Sequence, residues 1–399
     1  MVTLFLESTL EKLKSSRPYV EFMRHSGREE YPIRTYGPRG SFLAVVLAAL
    51  MRQKKRTILC VVPSEKEAEN LLRDCISFGV PAVHFPWWQS APYSEQPTHS
   101  NVAARRISIL KNLLTGEKGV ICVSLRGYIG FLPPRKLLEE NLIPLKKGES
   151  FDPQKIEQTL EHWGYLRVPR VSSPGEFALR GEVLDVGIPG GDGEALRVVF
   201  EFDEIEEIRT FDALTQSSYG SLEEYSLFPA TEFLWEEDAM DRVEEFMRSR
   251  RYPGKGDEEF LEHLRVSRSC AFDEIFFPLG FEKPATLADY MPADGLSLFI
   301  SDKRLENAAE GVNKEFDELY RRTVREKKLS FPPPDRILAS YPDLVEGCRR
   351  KIMFQSLKDQ EADLTVPEIV CQDPRSFFGN IQYLKEELEQ YAKSGFLVS

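Results

Sequence analysis

The stretch "TYGPRGSFLAVVLAAL" (residues 35–50) sets two glycines just ahead of a run of small and apolar residues. It has the outline of a phosphate-binding loop opening a helix. Such a loop is written G-x-x-x-x-G-K-[ST]: backbone N–H groups cradle the phosphates, the lysine reaches the terminal ones, and the hydroxyl ligates Mg²⁺. Laid on that frame from Gly37, with Gly40 inside it, the second glycine falls on Phe42. The lysine falls on Leu43 and the hydroxyl residue on Ala44. Each replacement removes a separate part of the chemistry. The stretch is either a coincidence or the remnant of a nucleotide site, and the surrounding chain decides between them.

That surrounding chain alternates strand and helix. "RTILCVVPS" (56–64) is a short apolar run stopping at a Pro-Ser helix start, as a buried parallel strand does. "EKEAENLLRDCISFGV" (65–80) follows as an amphipathic helix ending at Gly79. After the aromatic-rich loop "PAVHFPWWQSAPYSEQPTHS" (81–100), Ala103, Ile107, Leu110 and Leu114 recur at helical spacing. "GVICVSLRGYI" (119–129) then reads as another buried strand, and the alternation predicts an α/β unit with a parallel sheet. A phosphate-loop ATPase also needs an acidic motif at a strand end. Its Asp helps hold Mg²⁺, and in helicases the following Glu handles the attacking water. "SLFISDKRL" (297–305) puts Asp302 at such a strand end, but Lys303 follows it. The two losses together describe a helicase-like half-motor that keeps its fold without its chemistry.

Around Leu132 the character changes. "DPQKIEQTLEHW" (152–163) is a helix with Asp152 as N-cap and Pro153 in its first turn. Strands dominate after it: "GYLRVPRV" (164–171), "GEFALRGEVLDVGIP" (175–189), "ALRVVFEF" (195–202) and "EIEEIRTFD" (204–212). The last two form a hairpin around Asp203-Glu204. Residues 132–230 therefore read as a small α+β domain inserted into the larger α/β one, which takes residues 27–131 and 231–310. Residues 1–26 are expected to pack with a small subdomain, 311–370. "NIQYLKEELEQYAKSG" (380–395) is a helix capped by Asn380 and stopped at Gly395. With "FLVS" behind it as a strand, residues 371–399 read as the start of a further domain, cut short.

Composition narrows the function. At 399 residues the chain is too long for one ordinary core. Its formal net charge of −12 is wrong for a protein whose main task is gripping duplex DNA, so any nucleic-acid contact must be local or made by a partner. Cys60, Cys75, Cys122, Cys270, Cys348 and Cys371 show no C-x-x-C spacing. That argues against a zinc site and a disulfide framework and suits a reducing cytosol. The apolar run from Phe42 to Met51 is too short to span a bilayer, and the N-terminus lacks the basic start and cleavage site of a signal peptide. A cytoplasmic protein without cofactor or membrane partner is expected. His25, His84, His99, His162 and His263 have no ligand spacing. Trp87, Trp88 and Tyr93 read as a packed loop rather than a base-stacking platform. The basic runs "RSRRYPGKG" (248–256) and "RRTVREKK" (321–328) read as a solvated loop and helix face in acidic surroundings.

The inserted segment settles the family resemblance. "GYLRVPRVSSPGEFALRGEVLDVGIPG" with "LRVVFEFDEIEEIRTFDALTQSS" resembles the block G-Y-x-R…G-E-F-x-x-R-G-x-[LI]-[LI]-D-[LI]-F-P…R-[IL]-E-F-F-x-D-E-I. The nucleotide-excision-repair helicase UvrB and the transcription-repair coupling factors share that block. "FPWWQSAPYSEQPTHSNVAARRISIL" (85–110) is similar to a coupling-factor segment upstream of it. The resemblance runs from about 30 to 370 and implies the arrangement of UvrB domains 1a, 2 and 1b: a degenerate RecA-type parallel-sheet domain carrying the α+β insertion. UvrB keeps an intact phosphate loop and acidic motif, whereas the coupling-factor module has lost both, as here. The resemblance thus implies no ATP hydrolysis by this chain and binding of the repair subunit UvrA through the insertion. RNA polymerase and DNA would be contacted through other parts of the full-length family protein, an ATP-dependent DNA translocase. The partner-contacting positions it implies are Arg167 of G-Y-x-R, Arg180 of the R-G step, and Arg197 and Phe200 of the R-[IL]-E-F-F strand. Two aromatic positions depart from the pattern: Gly187 stands where the block has Phe, and Glu201 replaces the second Phe, with Phe202 one place on. By residue type alone, Arg167, Arg170, Arg180 and Arg197 are ordinary solvated strand arginines; the block singles out Arg180 and Arg197. The rival reading, a UvrB-like ATP-dependent helicase, conflicts with Phe42, Leu43, Ala44 and Lys303.

Overall fold

The computed structural model describes residues 2–88, 91–94, 100–191, 193–326, 328–355, 364–369 and 379–395. In chain order the strands are β1 Ile33–Tyr36, β2 Ile58–Val62, β3 Ala82–Phe85, β4 Val120–Ser124, β5 Ile143–Lys146, β6 Leu166–Arg167 and β7 Glu176–Arg180. They continue as β8 Val183–Gly187, β9 Glu194–Glu201, β10 Glu204–Asp212, β11 Ser218–Leu222, β12 Glu224–Leu227, β13 Leu296–Ile300 and β14 Lys351–Gln355.

Six of them form a parallel sheet in the order β1-β14-β13-β2-β4-β3. Both faces are covered, so its central strands are apolar throughout: every residue of β2 and β4 is buried. The two-residue period divides them between two cores. Leu59, Val61, Ile121 and Val123 face the larger one, while Ile58, Cys60, Val120 and Cys122 face the one roofed by the helix Phe42–Gln53. The strand at 119–129 is shorter than the sequence suggests. It stops at Ser124, whose hydroxyl accepts the Gly127 N–H at 3.1 Å and opens the helix Leu125–Ile129.

The 25-residue helix Asp302–Glu326 runs across the boundary expected at 310/311. β14 lies inside the parallel sheet, between β1 and β13, so residues 351–355 are an integral strand of the α/β domain. The N-terminal helices Val2–Leu13 and Arg17–Arg28 pack on the same layer, with Phe22 against Phe354 and Arg52 paired to Glu7 at 2.6 Å. The helix Ile381–Lys393 starts at Asn380, whose carbonyl accepts the Tyr383 N–H. "FLVS" and Cys371 lie outside the described residues.

The insertion is a second six-stranded sheet, ordered β11-β10-β9-β8-β7-β6, antiparallel except for the β6–β7 pair. The β5–β12 ribbon joins its entry and exit. One face, with Phe177, Leu184, Val186, Leu196, Val198 and Phe200, merges with the larger core. A buried ion pair fixes the exit: Arg106 donates from Nε and Nη2 to Glu232 at 3.0 and 2.9 Å, its guanidinium sandwiched by Phe85 and Trp88. Among the described residues the second face carries a small apolar cluster, Val171, Ala178, Ala195, Phe211 and Ala213.

Candidate partner-binding site

On that second face the register places Asp185 of β8 between Ala178 of β7 and Arg197 of β9. Its neighbours Leu184 and Val186 point to the core, so Asp185 points to the second face, and because it is buried there its carboxylate has to be paired. Arg197 meets it as a fork, Nε at 2.6 Å and Nη2 at 2.9 Å, and Arg180 Nη2 adds a third bond at 2.8 Å. Asp185 is 1% exposed, Arg197 23% and Arg180 51%. Arg197 also lies 4.5 Å above the Phe211 ring, and its bond to Asp185 raises its pKa above the ordinary guanidinium value against the cost of burial. The result is a preorganised arginine pair: Arg197 is clamped, and Arg180 keeps half its surface exposed.

The other positions separate by strand parity. Phe200 stands three residues after Arg197, hence on the opposite face, where it is 5% exposed and packs on Phe151 at 4.7 Å. It is a core residue, and the contact role expected of it does not fit this burial. Arg167 pairs with Glu157, away from the Asp185 cluster. Gly187 is explained by a close crossing: a Cβ there would lie 2.2 Å from the Ser173 carbonyl oxygen, so no side chain fits. Phe202 is 92% exposed at the tip of the β9–β10 hairpin, where Phe202 and Asp203, not Asp203 and Glu204, take the two positive-φ turn positions. Asp185 was missed by sequence reasoning; its signal was a lone acid inside an apolar strand run.

The phosphate-loop remnant lies at the C-terminal ends of β1, β13 and β14, beside a cavity of about 500 Å³ lined by Gly37, Arg39, Gly40, Leu43, Arg304 and Phe354, among others. The Phe354 ring sits so close that a Cβ on Gly37 would be 2.2 Å from it. The N–H groups of Phe42, Leu43 and Ala44 donate to the carbonyls of Arg39, Gly40 and Ser41, which turns them away from a phosphate. Leu43 and Ala44 are buried in the core. Across the cleft, Arg304 holds Glu67 at 2.8 and 3.0 Å. Asp302 accepts the Lys303 N–H, and Lys303 Nζ pairs with Glu306 at 3.1 Å. Among the described residues no group of His, Cys, Asp and Glu could hold a metal ion, and no helix is long and apolar enough to cross a membrane.

The comparisons fall on this architecture. Residues 143–233, the insertion, match the family described as the UvrB interaction domain. The transcription-repair-coupling factor of Borreliella burgdorferi is 25% identical over 91% of this chain and 31% of its own length. That of Haemophilus influenzae is 28% identical over 76% of this chain and 27% of its own. The UvrABC system protein B of Haemophilus influenzae is 24% identical over 74% of this chain and 49% of its own. The chain thus carries, inserted in an α/β domain with a parallel sheet of helicase-like arrangement, a segment similar to the UvrB interaction domain. More particularly, it is homologous to the N-terminal UvrB-homology module of the transcription-repair-coupling factors. It spans about a third of the length of those relatives.

Proposed function

We propose that this chain is a non-catalytic interaction module of transcription-coupled repair, recruiting the excision-repair subunit UvrA to stalled transcription complexes. The observation that carries the reading is the Asp185–Arg197–Arg180 cluster on the outer face of the segment that matches the UvrB interaction domain. A clamped guanidinium pair loses little side-chain freedom on binding and presents the fork that partner carboxylates accept. RNA polymerase and DNA, on this reading, are reached through other parts of full-length relatives. A UvrB-like helicase activity is disfavoured by the side chains at Phe42, Leu43, Ala44 and Lys303 and by the N–H groups spent on the loop's own carbonyls.

Competition tests the reading. If the insertion uses the surface that UvrB presents to UvrA, then purified UvrB displaces this chain from immobilised UvrA. Simultaneous binding of both, or retention of UvrA only through residues outside 143–233, would sink it.

A further inference from the structure

Two basic runs that lie about seventy residues apart in the sequence are bolted together in the fold. Residues 248–255 hold Arg248, Arg250, Arg251 and Lys255 with no acid among them, and Arg321, Arg322, Arg325 and Lys328 follow at the end of the helix Asp302–Glu326. The bolt is a buried polar network. Asp257, 6% exposed, accepts the Ser330 N–H at 2.8 Å, the Ser330 hydroxyl at 2.7 Å and the Gly254 N–H at 2.8 Å. Gly256 donates its N–H to the Lys328 carbonyl at 2.9 Å, and Arg250 Nη2 reaches the Tyr320 hydroxyl at 3.2 Å. An internally satisfied network of this kind holds the loop rigidly against the helix end.

We propose that this composite patch binds single-stranded nucleic acid. Arg251, Lys255, Arg321, Arg322 and Arg325 are exposed and form no ion pair among the described residues. The helix C-terminus accounts for a cation or two in its last turn, but not for the facing loop. Between the charges stands Tyr252, 73% exposed, with the Arg251 guanidinium 5.4 Å from its ring centre. Cations tracking a backbone with an open aromatic face among them are the two parts of a sequence-tolerant single-strand site. An acidic polypeptide would use the cations and leave the ring idle; a duplex would hide its base faces from it. The chain's charge of −12 confines the attraction to this patch. Glu258, Glu259 and Glu326, which adjoin it, make the contact short-ranged and salt-sensitive. This inference is independent of the UvrA reading.

The test is fluorescence anisotropy of the full chain with a labelled oligothymidylate, a duplex of equal length and polyglutamate, across a salt series. The chain is expected to bind the single strand most tightly. Arg251→Glu with Lys255→Glu, and separately Arg321→Glu with Arg325→Glu, should each weaken binding about tenfold or more. Each should also lower the log–log salt slope by about 1.4, two phosphate contacts at ~0.7 apiece. Tyr252→Ala should weaken it about fivefold with the slope unchanged. Lys136→Glu, at an exposed site elsewhere, should change nothing. Thermal melts confirm that each variant is folded. Absence of binding at low salt, indifference to either double reversal, or tighter binding of the duplex or of polyglutamate overturns the proposal.

Discussion

Arg197 and Asp185 are register partners on neighbouring strands, and the guanidinium closes on the carboxylate through two bonds of 2.6 and 2.9 Å. The acid is buried and the base mostly so, which makes their roles unequal to that of Arg180. Removing one partner of a buried pair leaves an uncompensated charge, so Asp185→Ala and Arg197→Ala should each cost about 3 kcal/mol of stability. Arg180→Ala, which removes a half-exposed third bond, should cost under about 1 kcal/mol. Urea unfolding of the three variants checks the ranking; equal losses would show that the cluster does not work as a clamp.

Gly187 departs from the block because the 171–174 segment crosses directly over it. Gly187→Ala should destabilise by about 2 kcal/mol or more, since the obstruction is the Ser173 carbonyl and not a side chain that can turn away. A melting temperature within a degree or so of the parent would mean the crossing yields easily.

Asp273 gives the fold a pH dependence of its own. Burial pushes its carboxyl up to about 6, against hydrogen bonds from the Trp235 indole, the Cys270 thiol and N–H, and the Ser269 hydroxyl that favour the ionised form. The folded chain therefore holds a proton that the unfolded chain has released between its ordinary pKa near 4 and the folded value. From this group, stability should fall as pH rises through that window, by at most about 3 kcal/mol, and level off above it. Asp273→Asn keeps an acceptor for Trp235 and removes the ionisation. It should be the more stable protein at pH 7, by 1 kcal/mol or more, with a flatter profile from pH 4 to 6. Parallel profiles would place the titration elsewhere.

Writing the phosphate loop back in should not make an ATPase. Phe42→Gly, Leu43→Lys and Ala44→Thr together put a lysine and a hydroxyl into positions buried in the core, and Lys303 still stands where the acidic motif needs its base. The triple variant should hydrolyse no ATP and lose about 2 kcal/mol or more of stability. Phosphate release above background, dependent on Mg²⁺, would contradict this.

Much of this was legible in the chain. β2, β4 and the helix Glu65–Ser77 declare themselves by uninterrupted apolar runs and an amphipathic period, because a doubly covered sheet leaves no polar face to confuse the signal. The degenerate loop and Lys303 were readable by position alone. Only the basic end of the helix Asp302–Glu326 was legible as a helix face, although Leu305, Ala309, Val312 and Phe316 mark a buried stripe along the rest; Asp302, expected at a strand end, is its first residue. At the candidate site the arginines came from the motif, while Asp185 as their organiser and Phe200 as core depend on which face each strand position takes, which pairing decides. The meeting of residues 248–256 with 321–330 could not be read at all, since it rests on long-range hydrogen bonds to one buried acid.

The most direct measurement of the central claim is a calorimetric titration of this chain into its cognate UvrA, wild type beside Arg180→Ala. Arg180 is the informative choice because its loss should leave the fold standing. The account predicts binding by the wild type and a loss on the order of 2 kcal/mol, roughly thirtyfold, in the variant at nearly unchanged melting temperature. A folded wild type that does not bind UvrA, or a variant that binds it equally well, would contradict the account.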